Sequence, residues 1–171
     1  MCGVRGGVWD WTFLIRIMNL IAAGFSILLL VVLDQGSKLL IQNSIPFQNS
    51  ISVIPGFFNL THLHNTGAAF GMLNDSNLFF VILASLAFVT LILLRQHFTG
   101  KLMGAGWILL LAGIIGNITD RLRLGHVVDF LDFQCGGYHW PSFNVADSCI
   151  CIAAGLFLLS SFQCQPKSTQ P

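Results

Sequence analysis

Residues 102–121 read LMGAGWILLLAGIIGNITDR, and this stretch decides the fold class of the chain. Residues 102–119 carry no charge, and a helix needs about 20 apolar residues, with a lower limit of roughly 17, to cross a membrane. Because lipid offers the backbone no hydrogen-bond partners, such a run is predicted to be helical. Asp120 and Arg121 follow directly, so this helix is predicted to carry polar groups at one membrane boundary.

Three further uncharged runs are long enough to cross a membrane, at residues 17–33, 76–94 and 148–166. The four runs predict an all-α integral membrane protein with four transmembrane helices, in a single membrane domain that covers residues 1–171. The composition agrees, because only 9% of the residues are charged and 54% are hydrophobic, whereas a soluble domain carries roughly 25% charged residues. A net charge of +1 provides no field to attract nucleic acid, so no nucleic-acid partner is expected.

Two longer segments, residues 35–75 and 120–144, lie between these helices on one side of the membrane. The first has strand-like composition at residues 51–54 and 57–64, which predicts a small extramembrane β-sheet between helices 1 and 2. The second contains the aromatic run Tyr138–Trp140. Such a run is typical of an interfacial belt, although a mobile flap over a site would have the same composition, and both interpretations stay open.

The charged residues give the orientation. Four crossings place a majority of the basic residues on one side, namely Arg5, Arg16, Arg95, Lys101 and Lys167. Cytoplasmic loops carry the excess of Lys and Arg, so both termini are predicted to be cytoplasmic. Every acidic residue except Asp10 then lies on the outer side. The polar chemistry is therefore predicted to be concentrated on the non-cytoplasmic face.

Ionisable residues at membrane boundaries are costly, so each is a functional candidate. Asp34 and Lys38 are four residues apart at the outer end of the first helix and can pair on one face. Asn117, Asp120 and Arg121 share one face of the third helix if that helix continues past residue 119. A purely structural salt bridge and hydrogen-bond network is the alternative for both groups. Small residues just below would let another helix approach closely, namely Ala112, Gly113 and Gly116.

Two further carboxyl groups stand apart from this network. Asp129 lies in the apolar stretch VVDFL, and Asp147 follows Asn144, a good N-cap that would place Asp147 at the third helical position. Two desolvated carboxyl groups at one depth cannot both ionise easily, so one would hold a proton while the other acts as a base toward water. The helix dipole favours a carboxylate by about 0.3–1 kcal/mol in a first helical turn. We therefore expect Asp147 to be the more acidic member.

The sequence offers no convincing set of metal ligands, so neither a metal nor a cofactor is predicted. His62 and His64 alternate onto one face of a predicted strand, which is a weak metal signature without an obvious third ligand. The cysteines are odd in number, five, and contain no CxxC pair.

Four sequence blocks resemble those of lipoprotein signal peptidase, the signal peptidase II family of bacterial inner membranes. In order along the chain they are Asp34–Lys38 (DQGSK), Asn65–Gly71 (NTGAAFG), Gly116–Phe130 (GNITDRLRLGHVVDF) and Phe143–Ser148 (FNVADS). Each block lies at the outer end of a predicted span. All four in one order make the resemblance specific, and it covers essentially residues 17–162.

The resemblance implies that Asp129 and Asp147 are the catalytic pair of an intramembrane aspartic endopeptidase. Such an enzyme would remove signal peptides from diacylglyceryl-modified prolipoproteins, cutting just before the lipidated cysteine. The resemblance also implies a four-helix bundle in the inner membrane, an outward-facing site, contact with membrane lipids and inhibition by the cyclic peptide globomycin; a monomer is expected. The other family positions, for substrate binding or support of the site, fall on Asp34, Lys38, Asn65, Gly67, Asn117, Asp120, Arg121, Asn144 and Ala146.

The residues also allow two other classes of membrane protein, a metal-dependent enzyme and a transporter. Asp120, Asp129 and Asp132 could form an acidic Mg²⁺ cluster of a lipid-headgroup enzyme, although Arg121 lies in the middle of it. A proton-coupled transporter would place ionisable groups near the middle of the membrane. Here the spans are uncharged and the carboxyl groups gather at one edge, which favours the protease.

Overall fold

The computed structural model describes residues 11–67 and 76–163, with side chains from residue 17 onward. The helices are α1 (Trp11–Ser44), α2 (Asn77–Leu93), α3 (Lys101–Leu124) and α4 (Val145–Gln163). The strands are β1 (Ser50–Ile54), β2 (Phe58–Asn65), β3 (Val127–Cys135) and β4 (Tyr138–His139). A short 3-10 turn, Arg95–His97, follows α2.

Within the described residues, three helices are long and apolar enough to cross a membrane, in α1, α3 and α4. The apolar helix α2 is shorter, with 17 residues. Many large apolar side chains on the helices face outward, including Phe25 and Leu28 on α1 and Leu86 on α2. In water such a surface would be unfavourable, whereas in lipid it is the expected one. The chain is therefore a membrane protein.

Helices α1 and α3 both continue beyond their uncharged runs. Helix α1 continues to Ser44, so residues 35–44 are helical and do not belong to an extended outer segment. The reason is burial: Ile41 and Ile45, far beyond the predicted end, pack against Phe130 of β3. Helix α3 likewise continues to Leu124, as the shared face of its polar residues requires.

The outer segment predicted at residues 120–144 contains the end of α3 and the strands β3 and β4. Helix α3 ends at Gly125, whose positive φ of 78° is the left-handed conformation that glycine adopts easily. Strand β3 then pairs antiparallel with β2, and the sheet has the order β1-β2-β3-β4. The two predicted strands are confirmed at residues 50–54 and 58–65. The sheet was predicted to lie between helices 1 and 2, which accounts for β1 and β2 only. Strands β3 and β4 come from the segment between α3 and α4.

Helix α4 packs against α3 where the glycines of α3 allow a close approach. A Cβ atom on Gly113 would lie 2.5 Å from the Ala146 carbonyl oxygen and 2.6 Å from Ile150 Cγ1. On Gly116, one turn further, it would lie 2.6 Å from Asp34 Oδ2. The predicted helix approach at these small residues is confirmed, and it brings α1, α3 and the start of α4 together.

This close approach predicts the effect of adding one methyl group. Gly113→Ala forces the backbone of α4 away, and we expect a loss of about 1–3 kcal/mol in the free energy of unfolding. Gly104→Ala on the same helix is the matched control, since a Cβ there meets nothing within 4 Å. Unfolding in detergent micelles measures both variants, and equal stability of the two would contradict the packing described here.

Candidate active site

Asp129 is held in the middle of β3, opposite Leu63 of β2. Asp129 is 4% exposed, and its carboxyl group accepts two hydrogen bonds, from Asn65 Nδ2 at 3.0 Å and from Asn144 Nδ2 at 2.8 Å. Burial, and secondly the nearby charge of Asp147, raise the pKa of Asp129 to about 7, although the two amides favour the ionised form. Asp129 can therefore carry a proton near neutral pH.

Asp147 lies in the first turn of α4, as predicted. The Asn144 side-chain oxygen accepts a hydrogen bond from the Asp147 backbone N–H at 2.9 Å, and Asp147 Oδ2 accepts one from the Asn144 backbone N–H at 3.2 Å. The predicted N-cap is thus confirmed, and its reciprocal bonds have the pattern of a capping box. Asn117 Nδ2 donates to Asp147 Oδ1 at 2.7 Å, which fixes the carboxyl group from α3.

Asn144 links the two carboxyl groups and has no exposed surface. Its side-chain NH₂ donates to Asp129, while its side-chain oxygen and its backbone N–H both bond to Asp147. The same NH₂ group lies 3.3 Å from Asn117 Oδ1. One buried amide therefore sets the relative position of Asp129 on the sheet and Asp147 on α4.

A buried ion cluster lies behind these carboxyl groups. Lys38 Nζ lies 2.8 Å from Asp34 Oδ2 and 2.8 Å from Asp120 Oδ2, so the predicted Asp34–Lys38 pair is confirmed and gains a second carboxylate. Lys38 also donates to Asn117 Oδ1 at 3.2 Å. Asp34 Oδ1 accepts the backbone N–H of Ala146 at 2.9 Å. The cluster thus holds the start of α4 and orients the amide that bonds Asp147.

Gln35 belongs to this cluster and was missed by the sequence analysis. Its Nε2 donates to Asp120 Oδ1 at 2.8 Å and to the Gly116 carbonyl at 3.2 Å, and its Oε1 accepts from Arg123 at 3.3 Å. Its position directly after Asp34, in a motif at the membrane boundary, was the one signal in the sequence. Helical spacing within α1 could not show that its hydrogen-bond partners lie on α3.

Arg121 does not join Asn117 and Asp120 in their contacts with Lys38. Its Nη2 donates to the Gly67 carbonyl at 2.8 Å, and its guanidinium lies 4.5 Å above the Phe80 ring. Gly67 in turn donates its N–H to Asn65 Oδ1 at 3.1 Å. Arg121 therefore braces the loop after β2 that carries Asn65. Residues 68–71 of the same sequence block lie outside the described residues.

A cavity of about 520 Å³ opens beside both carboxyl groups. Its walls are mostly apolar, and they include Trp140, Phe143 and Ile150. Trp140 and the neighbouring Tyr138 are strongly exposed, on the hairpin formed by β3 and β4. The aromatic run therefore borders the cavity, where it can both meet the membrane surface and cover a bound chain. An apolar cavity with two carboxyl groups at one wall suits a largely apolar ligand that meets an acid–base pair.

The raised pKa of Asp129 predicts how stability depends on pH. Its pKa is about 7 in the folded protein, well above its ordinary value of 3.8, so the folded state favours the protonated form. That contribution is fully present below about pH 4 and is lost as the pH rises through about 7. We expect the free energy of unfolding to fall over this range in the wild type and to fall less in Asp129→Asn.

Asp132→Asn is the matched control for this titration, because Asp132 lies on the same strand but is only partly buried. Its carboxyl group accepts from Asn59 at 2.9 Å. Unfolding measured in micelles at several pH values should give the wild-type slope for Asp132→Asn. The same slope in Asp129→Asn would show that Asp129 does not titrate as described.

The family model for signal peptidase (SPase) II matches residues 26–163. A lipoprotein signal peptidase of Syntrophotalea carbinolica is 42% identical over 86% of this chain and 92% of its own length. One of Aeromonas hydrophila is 44% identical over 80% of this chain and 85% of its own. The family match spans all four blocks that carry the resemblance seen in the sequence.

Two solved structures share the fold. A bacterial membrane enzyme determined by the in meso method at 2.3 Å resolution has a TM-score of 0.80 and 31% identity, covering 88% of this chain and 94% of the other. A second, determined by the same method at 1.9 Å resolution, has a TM-score of 0.76 and 32% identity, over 84% of this chain and 94% of the other. Each alignment covers more than four-fifths of this chain.

Proposed function

The chain belongs to the signal peptidase II family of bacterial membrane proteins, and on this premise we propose that it is an intramembrane aspartic endopeptidase. Its substrates are diacylglyceryl-modified prolipoproteins, and it hydrolyses the peptide bond just before the lipidated cysteine. The observation that carries the proposal is the link through buried Asn144, whose side-chain NH₂ donates to the Asp129 carboxyl group and whose backbone N–H donates to that of Asp147. Both carboxyl groups line the cavity.

Asp129 and Asp147 share one proton in the proposed mechanism. The Asp147 carboxylate takes a proton from a water molecule as that water attacks the scissile carbonyl carbon. Protonated Asp129 donates a hydrogen bond to the carbonyl oxygen and stabilises the charge that forms there. As the tetrahedral intermediate collapses, the C–N bond breaks and the proton held by Asp147 passes to the leaving amine. The raised pKa of Asp129 supports the assignment of the initial proton to that residue.

The remaining family positions support this pair. Asn65, Asn117 and Asn144 hold the two carboxyl groups by direct hydrogen bonds. Arg121 and Gly67 shape the loop that carries Asn65, where an extended substrate backbone can bind. Behind the site, Asp34, Lys38 and Asp120 hold the helices together through the ion cluster. Ala146 does so through its bond to Asp34 and its close packing against α3.

The protein lies in the bacterial inner membrane as a single domain with four crossings, of which α2 is the shortest. Both termini face the cytoplasm, and the sheet and the carboxyl groups lie at the outer boundary. Asp147 in the first turn of α4 is consistent with this depth. A substrate signal helix and its acyl chains can then both enter the site laterally from the lipid. The enzyme acts as a monomer and binds globomycin-type cyclic peptides in the same cavity.

The alternative of an Mg²⁺ site formed by Asp120, Asp129 and Asp132 does not agree with the contacts of these side chains. Asp120 pairs with Lys38 at 2.8 Å, and Asp132 accepts from Asn59, so neither carboxyl group joins Asp129. Among the described residues, no group of three His, Cys, Asp or Glu side chains is arranged to hold a metal ion.

Cleavage by the purified protein tests the proposal. Diacylglyceryl-modified and unmodified forms of one prolipoprotein are incubated with the enzyme in detergent micelles, with and without EDTA, and the products are identified by mass spectrometry. We expect one cut before the lipidated cysteine, only in the modified form, and no effect of EDTA. Cleavage that requires a divalent metal would overturn the aspartic mechanism, and equal cleavage of both forms would overturn the substrate assignment.

A further inference from the structure

A cluster of histidine rings lies at the end of β2, apart from the carboxyl pair. His62 and His64 project from one face of the strand, and their Nε2 atoms lie 3.2 Å apart. The His64 ring stacks on Phe47 at 4.1 Å between centroids and on His126 at 3.7 Å. These stacking contacts fix the plane of the His64 ring and hold its edge toward His62.

The hydrogen bonds determine which nitrogen of each ring carries a lone pair. His62 Nδ1 lies 2.8 Å from the Ile45 carbonyl oxygen. Because a carbonyl oxygen only accepts, His62 Nδ1 carries the hydrogen and His62 Nε2 has the lone pair. In the metal-free protein, His64 Nε2 therefore donates to His62 Nε2. His64 can carry its hydrogen on Nδ1 instead, and both Nε2 atoms then have a free lone pair while each ring stays neutral.

The separation of these two nitrogens fits a common coordination shell. Imidazole nitrogens bind transition metals at about 2.0–2.1 Å. Two such nitrogens separated by 3.2 Å subtend about 100° at the metal. We propose that His62 and His64 chelate a divalent transition metal on the outer face of the protein, with Cu²⁺ the preferred ion and water completing the shell. Binding affinity increases from Ni²⁺ to Cu²⁺ and decreases again to Zn²⁺, and imidazole is a suitable ligand for all three ions. Cu²⁺ is therefore expected to bind most tightly.

Two further features favour this site. His64 is exposed, so an ion from the outer solution can reach it, whereas His62 is buried and held by its bond to a backbone carbonyl, as metal-bound histidines commonly are. His126 stacks almost parallel to His64, at an interplanar angle of 23°, which makes it a support rather than a third ligand.

Copper titration of the purified full chain tests the proposal. The thiols are first blocked with N-ethylmaleimide, and Cu²⁺ binding is followed by calorimetry and by electron paramagnetic resonance. His64→Gln removes one ligand, and His139→Gln is the matched control, because His139 is an exposed histidine on β4. We expect one Cu²⁺ per chain in wild type and in His139→Gln, and an affinity at least about tenfold lower in His64→Gln.

The electron paramagnetic resonance spectrum of Cu²⁺ bound to the wild type tests the number of nitrogen ligands without use of the variants. Two coupled nitrogens are expected, and Mg²⁺ in excess should not displace the copper. Equal Cu²⁺ affinity in wild type and His64→Gln would overturn the site, as would a spectrum with fewer than two coupled nitrogens. Neither result bears on signal-peptide cleavage, so the site and the proposed function stand or fall separately.

Discussion

Asp129→Asn and Asp147→Asn are each expected to lower the rate of prolipoprotein cleavage by about 10³-fold or more. Asparagine keeps the shape of each side chain and can replace some of its hydrogen bonds, but it can neither hold the shared proton nor accept one from water. Both carboxyl groups face one cavity and are joined through Asn144, so removal of either one disables the same step. Steady-state cleavage of a lipidated prolipoprotein in micelles measures the effect.

Asp132→Asn is the control for this pair, since Asp132 lies three residues from Asp129 on β3 and outside the cavity walls. It should cleave at close to the wild-type rate. Near-wild-type activity in either Asp129→Asn or Asp147→Asn, with the protein folded, would contradict the proposed dyad. Double substitution should cost little more than one single substitution, because groups that act as a unit are not additive.

Lys38→Met is expected to cost about 3–5 kcal/mol in the free energy of unfolding. The Lys38 side chain is 3% exposed and lies 2.8 Å from a carboxylate oxygen of both Asp34 and Asp120. Methionine fills a similar volume without the charge, so two buried carboxylates would lose their cation. Their repulsion, together with the lost bond to Asn117, should loosen the start of α4.

Lys101→Met provides the comparison, since Lys101 is exposed at the start of α3. Unfolding of both variants in micelles should show a large loss only for Lys38→Met. If the two variants were equally stable, the Asp34–Lys38–Asp120 cluster would contribute little, and the position of α4 would depend on helix packing alone.

The parts of the fold that follow from local chemistry could be predicted. Uncharged runs located the long helices, and the glycines of α3 predicted the close approach of another helix. The spacing of Asp34 and Lys38 predicted their pairing, and Asn144 was recognised as the cap that places Asp147 in the first turn of α4. Each of these features depends on residues within one or two turns of each other or on the composition of one run.

The features that depend on distant partners were missed. Helix α1 continues past its apolar run because Ile41 and Ile45 meet Phe130 of β3, far along the chain. Strand β3 is buried against β2 and α1, so its sequence lacks the simple alternation of a half-exposed strand. Gln35 and His126 likewise acquire their partners only in three dimensions.

The central claim is that Asp129 and Asp147 share one proton, and carboxyl NMR tests it most directly. Protein labelled with ¹³C at the aspartate carboxyl carbons is titrated in micelles, with Asp129→Asn and Asp147→Asn used to assign the two signals. We expect Asp129 to remain protonated up to about pH 7, and we expect Asp147 to lose its proton first because a first helical turn favours a carboxylate. Two ionised carboxyl groups at pH 5, or a proton retained on Asp147 while Asp129 is ionised, would contradict the mechanism.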